Sequence, residues 1–306
     1  MQRIVAIVGV TASGKTDLGE SLAESIGGEV VCADARQVFR DLDAGTGKPT
    51  PAARTARPHH LFDLLELGER PSAGGWARQA RATCEAIAQR GGMPVLVGGS
   101  GLYLASLMGG LHDEPPHDAA VRERLRAERE ALGPEALHAR LAGIDPDTAA
   151  RLAVRDGQRI VRALEVAEAS GKPLSWWHAQ QPAPPIEADW RVLELTCAPE
   201  VLAQRIDART LAMFEGGLVG ETRALIERGL EAELVALRAI GYDEAMDLIA
   251  GRISADDARA RTNVRTRQLA KRQRTWFRHQ VKASGLAAHD RACGPSLAAA
   301  RAALGV

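Results

Sequence analysis

The sequence predicts an α/β fold: a parallel sheet with flanking helices, interrupted by an all-helical insertion. Three observations carry this. Short apolar, β-branched runs alternate with amphipathic stretches as far as Gly99, as successive strand–helix–strand units require. From about His112 to Pro185 no strand-like run occurs. Strand character then returns at Arg191–Thr196.

The elements follow in order. Residues 3–8 (Arg-Ile-Val-Ala-Ile-Val) form an apolar run that ends at Gly9, as a buried parallel strand would. After a glycine-rich turn, Leu18, Leu22 and Ile26 keep helical spacing until Gly27-Gly28 stops the helix. Glu29–Cys32 is a second strand leading to Asp34. Trp76–Arg90 is helical, with Ala80, Cys84 and Ile87 on one face, and Pro94–Val97 is a third strand. In the middle of the chain, Asp118 caps a helix that Gly133 ends, and Asp145-Pro146 pairs an N-cap with proline at the first helical position. Arg155–Ser170 is amphipathic and is closed by Gly171 and Pro173. After Pro199 the pattern reads as helices to the end. A chain of 306 residues holds about two domains, or one domain with a large insertion. The elements divide it into a discontinuous core, 1–112 with 186–306, and a helical insertion, 113–185.

Composition excludes several classes. Hydrophobic residues at 45% and charged residues at 25% are those of a globular protein, and no apolar run approaches the ~18 residues of a membrane span. Cys32, Cys84, Cys197 and Cys293 stand far apart with no Cys-x-x-Cys pair, so they read as thiols in a reducing cytoplasm. Thirty-nine basic residues balance 39 acidic ones, yet nine cations between Arg259 and Lys282 face no acid after Asp257 until Asp290. Such a block is either a solvated helix face or a site for nucleic acid or pyrophosphate.

Gly9-Val-Thr-Ala-Ser-Gly-Lys-Thr16 matches G-x-x-x-x-G-K-T between a strand and a helix. This makes the sheet P-loop NTPase-like. Its glycines let backbone N–H groups converge on an anion, and the helix N-terminus adds its positive dipole end. Lys15 supplies a point charge, and Thr16 can hold an oxygen of hydrated Mg²⁺. The loop specifies a di- or triphosphate without saying which. Asp34 falls at the carboxyl end of the second strand, where open α/β sheets bind ligands. It reads as a general base, a magnesium partner or a turn residue.

Several segments together resemble the tRNA dimethylallyltransferase (isopentenyl-tRNA transferase) family. They are Val8–Thr16, Ala33–Arg40, Asp43–Pro49, Pro58–Leu61, Val95–Tyr103, Asp156–Glu165, Arg205–Arg209, Ile240–Tyr242 and Thr266–Phe277, which span nearly the whole chain in order. The resemblance implies transfer of a dimethylallyl group from its pyrophosphate to N6 of adenine 37, beside the tRNA anticodon. It implies Mg²⁺ as cofactor, a helical insertion that grips the anticodon stem-loop, a monomer, and no membrane partner. Gly9, Thr11, Ala12, Ser13, Gly14, Lys15, Thr16 and Arg205 would bind the donor pyrophosphate. Asp34, Ser100 and Arg209 would be catalytic, with Thr16 and Ser100 available to the metal. Asp34, Ala35, Arg36, Gln37, Ser100, Arg122, Gln158, Arg159, Ile160, Val161 and Arg162 would contact tRNA.

The chain departs from the family pattern at five places: Ser100 stands for a threonine, Ala35 for a serine, Phe39 for a tyrosine, Val154 for a proline and Arg155 for an asparagine. Three further features read as structural. His59-His60 pack and hydrogen-bond, Trp176-Trp177 cover the insertion, and Trp276-Phe277 form a core face of an arginine-rich helix. Lys48 either faces phosphates or holds its loop. Three competing functions remain at this level: a P-loop kinase of a nucleotide or small metabolite, an enzyme prenylating free adenine nucleotides, and a non-catalytic RNA-binding module with a vestigial loop.

Overall fold

The computed structural model describes residues 2–109, 115–180, 185–283 and 289–306. The chain divides into two compact units, Met1–Gly109 with Pro185–Val306, and Gly110–Pro184. The expected junction at 112/113 lies outside the described residues.

The first unit opens with β1 (Gln2–Gly9), α1 (Lys15–Ile26), β2 (Gly28–Cys32), α2 (Pro51–Ala56), β3 (His59–His60), α3 (Ala73–Gln89), β4 (Met93–Gly98) and α4 (Gly101–Met108). The second unit contains α5 (Ala119–Ile144), α6 (Pro146–Arg151), α7 (Gly157–Ser170) and α8 (Leu174–Ala179). The first unit resumes with β5 (Ala188–Thr196), α9 (Pro199–Glu215), α10 (Leu218–Glu227), α11 (Glu231–Leu237), α12 (Tyr242–Ile249), α13 (Ala255–Ala283), β6 (His289–Cys293) and α14 (Leu297–Leu304).

The six strands form one parallel sheet in the order β3-β2-β4-β1-β5-β6. The strand β1 is central, and its residues from Ile4 to Gly9 are buried. Val5, Ile7, Val95, Val97 and Leu193 pack with Leu22 and Ala23 of α1 and with Leu304 of α14. Each large aliphatic side chain buried there contributes about 1.5–3 kcal/mol against exposure. The carboxyl ends of β1, β2 and β4 therefore lie side by side, and the glycine loop and Asp34 leave the sheet at that edge.

One expectation fails here. The tail after Pro199 is not helical throughout, because β6 extends the sheet by pairing with β5 from Val192↔His289 to Thr196↔Cys293. The residues His-Asp-Arg-Ala-Cys have neither an alternating pattern nor β-branched side chains. Their extended state comes from the hydrogen-bonding edge of β5, a tertiary cause that local propensity does not carry.

The second unit contains no strand among its described residues. Its caps at Asp118 and Asp145 follow the sequence, and Asp156 supplies a third that the pattern does not single out. The Asp118 carboxylate accepts from the N–H groups of Ala120 and Val121, that of Asp145 from Thr148 and that of Asp156 from Arg159. Gly133 leaves helical geometry (φ 84°, ψ 161°) and breaks α5 in two. Leu125, Leu137, Leu141, Ile160, Val161 and Leu164 form this unit's own core. No helix among the described residues is long and apolar enough to cross a membrane.

Candidate active site

The glycine loop leaves β1 through Gly9, whose φ is +140° and where an added Cβ would lie 2.4 Å from the Leu195 carbonyl oxygen. That close backbone approach admits only glycine, and Gly9 lies behind the loop instead of on the cleft wall described below. Ala12 and Gly14 take left-handed φ values of 60° and 91°, which turn successive backbone N–H groups inward. The first N–H groups of α1 have no intrahelical partner and open onto the same place. The Lys15 ammonium folds back over the loop and donates to the Val10 carbonyl (2.6 Å). Burial pushes its pKa down to about 8, with Asp34 drawing it back up and Arg209 lowering it further. Ser13 is buried, and its hydroxyl has no partner among the described residues.

Two arginines one turn apart on α9 close over this loop. Arg205 donates to the Ser13 carbonyl (3.1 Å). Arg209 donates through Nη1 to the Thr11 hydroxyl (2.8 Å) and through Nη2 to the Thr46 carbonyl (2.9 Å). Burial lowers the Arg209 guanidinium pKa, and the Asp34 carboxylate opposes that shift. An anion bound in the loop would offset the same burial cost.

Asp34 sits in the turn after β2. Its Oδ1 accepts from the Arg36 N–H (2.8 Å) and, more weakly, from the Gln37 N–H (3.4 Å), while Oδ2 takes no hydrogen bond among the described residues. The Ala35 N–H donates to the Ser100 hydroxyl (2.8 Å), which ties this turn to the end of β4. The Gln37 carboxamide donates to the carbonyls of Thr46 (3.2 Å) and Gly47 (3.0 Å). The Thr46 carbonyl thus receives both Gln37 and Arg209, and it links the aspartate turn to the donor loop.

The 43–48 turn that presents Thr46 is held from two sides. Glu221 accepts from the N–H groups of Asp43 and Ala44 and from the Tyr242 hydroxyl. The buried Lys48 ammonium reaches the Phe39 carbonyl (2.6 Å), Asp43 (2.7 Å) and Asp63 (2.5 Å). Lys48 therefore holds its loop. Gly47 has φ +64°, and an added Cβ would fall 2.8 Å from Arg209 Nη2. Gly47→Ala is expected to cost about 1–2 kcal/mol of local strain and to displace Arg209. In steady-state kinetics the KM for the phosphorylated donor should rise by roughly tenfold, the equivalent of about 1.4 kcal/mol. An unchanged donor KM would rule out the Thr46–Arg209 link.

Thr11, Ala12, Ser13, Gly14, Lys15, Thr16, Asp34, Ala35, Arg36, Gln37, Ser100, Arg205 and Arg209 all line one open cleft of about 1510 Å³. Sequence reasoning missed Gln273 of α13. The Thr11 N–H donates to its Oε1 (2.8 Å), and its Nε2 donates to the Gly99 carbonyl (3.1 Å). It stands in the Gln268–Gln273 segment that carried the family resemblance, but an uncharged amide in an arginine block gives no local signal.

The basic helix is divided along its length. Arg259, Arg261, Arg265 and Arg267 pair with Asp256, Asp247, Asp243 with Glu244, and Asp207 respectively. The side chains of Lys271, Arg272, Arg274 and Arg278 have no ion pair among the described residues, and Arg272 lines the cleft. The Lys282 side chain lies outside the described residues. Phe277 is buried and meets Trp276 edge-on at 5.2 Å, so this pair is a packing face.

In the second unit, Glu165 is fully buried and receives His117, Arg122 (3.3 Å) and Arg162 (3.2 Å). Arg162 also donates to the carbonyls of Pro115 (2.9 Å) and Pro116 (3.0 Å). Gln158 and Arg159 are exposed, whereas Ile160 and Val161 are core residues at 0% and 2% exposure. The expected RNA-contacting segment thus presents two of its five side chains outward. The reason is helical periodicity: contiguous residues on α7 cannot share one face. Trp177 donates to the Ser170 hydroxyl (3.2 Å) and meets Trp176 edge-on. In the first unit, His59 bonds the Arg57 carbonyl (2.9 Å) and His60 bonds Glu29 (2.6 Å).

No cluster of three or more His, Cys, Asp or Glu side chains is arranged around a metal among the described residues. The oxygens at the loop fit Mg²⁺ in another way. This cation keeps several waters and takes one or two protein ligands plus substrate phosphates. The hydroxyl-bearing Thr16 and Ser100 line the same cleft as the anion loop.

Residues 37–280 match the family model described as IPP transferase, and residues 2–58 match that described as isopentenyl transferase. The chain is 46% identical over 291 residues to the tRNA dimethylallyltransferase of Halorhodospira halophila, covering 94% of each chain. It is 44% identical over 293 residues to the tRNA dimethylallyltransferase of Kineococcus radiotolerans, covering 94% of this chain and 91% of that one. Among solved structures it resembles the tRNA isopentenylpyrophosphate transferase of Bacillus halodurans, with a TM-score of 0.64 and 33% identity over 95% of this chain and 90% of that one. It also resembles a eukaryotic dimethylallyltransferase acting on tRNA, with a TM-score of 0.71 and 26% identity over 93% of this chain and 72% of that one.

Proposed function

The chain belongs to the IPP transferase family, and from that premise we propose that it moves a dimethylallyl group from dimethylallyl pyrophosphate to N6 of adenine 37 in tRNA. Its activity is tRNA dimethylallyl transfer, and tRNA is its substrate. The carrying observation is the meeting of an anion loop, two overhanging arginines and an aspartate with one unbonded oxygen in a single cleft. We place the enzyme in the cytoplasm as a monomer.

The chemistry follows from charge placement. The allylic C–O bond of the donor breaks when the pyrophosphate leaving charge is stabilised. Lys15, Arg205, Arg209 and the loop N–H groups, gathered in one cleft, stabilise that charge. Thr16, and with it Ser100, would hold Mg²⁺, which would further neutralise the phosphate oxygens. The adenine amine is a weak nucleophile because its lone pair is delocalised into the ring. Asp34 Oδ2 removes its proton as N6 bonds the allylic carbon, so the amine proton passes to the carboxylate and the bonding pair of the C–O bond leaves with pyrophosphate. A stacked adenine cannot reach such a cleft, so it must be extruded from the anticodon loop.

Incubation with labelled dimethylallyl pyrophosphate, Mg²⁺ and either an anticodon stem-loop RNA, AMP or ATP tests the reading. Label is expected on the RNA alone. Label on AMP, or phosphate release from ATP without prenyl transfer, would replace it with a free-nucleotide prenyltransferase or a kinase. For RNA docking, Arg272→Ala should flatten the salt dependence of stem-loop affinity by on the order of 0.7 in log–log slope, the value of one single-strand phosphate contact. A slope identical to wild type would remove Arg272 from the RNA surface.

A further inference from the structure

Gln273 of α13 commits both ends of its carboxamide to the donor site. Its oxygen accepts from the Thr11 N–H and its nitrogen donates to the Gly99 carbonyl. The approach is close: an added Cβ at Gly99 would stand 2.4 Å from Gln273 Nε2. Thr11 is held at the same time by Arg209 through its hydroxyl (2.8 Å). Any shift of α13 along or about its axis is therefore passed to the residue that Arg209 grips.

The cations around Gln273 point to what acts on the helix. Lys271, Arg272, Arg274 and Arg278 surround it and have no anionic partner among the described residues, whereas the arginines from 259 to 267 are neutralised by neighbouring acids. A polyanion docking on α13 engages this second half, within one or two turns of Gln273. We infer that Gln273 is a positioning residue that couples RNA docking on α13 to the grip of the glycine loop on the donor pyrophosphate. The inference rests on the tRNA prenyl-transfer reading. Coupling between two ligands is reciprocal, so RNA and donor must tighten each other by the same factor.

The test uses the full chain, an unreactive thiolodiphosphate analogue of the donor, and an anticodon stem-loop RNA. In the wild-type protein the RNA is expected to tighten analogue binding by about fivefold or more, and the analogue to tighten RNA binding equally. Gln273→Met keeps the side-chain volume and removes both hydrogen bonds. The ratio should fall to about one, while the salt slope of RNA binding without analogue stays at its wild-type value, a pattern that general loosening of the fold does not produce. Gly99→Ala displaces the same amide from the opposite side and should also abolish the ratio, so misfolding of one variant leaves the other decisive. A wild-type protein that prenylates RNA with a ratio of one, or variants that keep the ratio, would overturn the inference and leave the activity standing. A wild-type protein that prenylates no RNA would overturn both.

Discussion

Replacing Asp34 with asparagine is expected to slow single-turnover prenyl transfer by about 10²–10⁴-fold, the usual contribution of a positioned general base, while tRNA affinity stays unchanged. Asparagine is chosen over alanine because of what Oδ1 does. That oxygen accepts from the Arg36 and Gln37 N–H groups and holds the turn that carries Gln37 to Thr46 and Gly47. The side-chain oxygen of asparagine can keep that role, so the turn and its link to Arg209 survive. The carboxylate's second oxygen, which takes no hydrogen bond among the described residues, becomes an amide nitrogen that cannot accept a proton. A rate defect in this variant therefore reports proton removal from N6 and not a collapsed loop. Alanine should be slower still and should also raise the donor KM, because it loses the turn as well. The measurement is rapid-quench conversion of stem-loop RNA with enzyme in excess, read by mass spectrometry of the modified adenosine. Wild-type single-turnover rates in Asp34→Asn would take the aspartate out of the chemistry.

The parts of the fold and site that were legible in the sequence are those whose cause is local. The glycine loop is read from eight consecutive residues because backbone geometry and the lysine charge are encoded where they act. The caps at Asp118 and Asp145 and the break at Gly133 are equally local, and the structure holds each of them. Asp34 could be placed at the binding edge because it ends a buried strand. What stayed hidden depends on partners distant in the chain. β6 is a strand because β5 offers it an edge. Gln273 matters because Thr11 and Gly99, more than 170 residues away, supply its partners. The segment 158–162 read as five RNA contacts because a motif is linear, whereas a helix turns Ile160 and Val161 into the core and leaves Gln158 and Arg159 outside. The Glu165 cluster was silent for a related reason. A buried carboxylate on an amphipathic helix is indistinguishable in sequence from an exposed one until Arg122 and Arg162 are seen to converge on it.

Lys15→Met should lower kcat/KM for the donor by about 10²–10³-fold, the scale of losing one preorganised charge at a developing anion, and should also change the pH profile. The wild-type ammonium has a pKa brought down to about 8, chiefly by burial. The sign follows directly. Below that pH the lysine is charged and can hold the pyrophosphate. Above it the free enzyme carries a neutral amine that attracts no phosphate. Since kcat/KM reports the free enzyme, it should decline above pH about 8, approaching tenfold per unit. Bound pyrophosphate stabilises the ammonium and raises its pKa, so kcat should stay flat to higher pH than kcat/KM. Methionine occupies nearly the same volume without the charge, so the variant should show a low kcat/KM with no alkaline decline of this origin. Arg205 and Arg209 remain to hold the donor, which is why the loss is finite. The two profiles together discriminate causes. If the alkaline decline persists in Lys15→Met, another group carries it, and if the wild-type profile is level through pH 9, the buried ammonium is not the titrating partner of the donor.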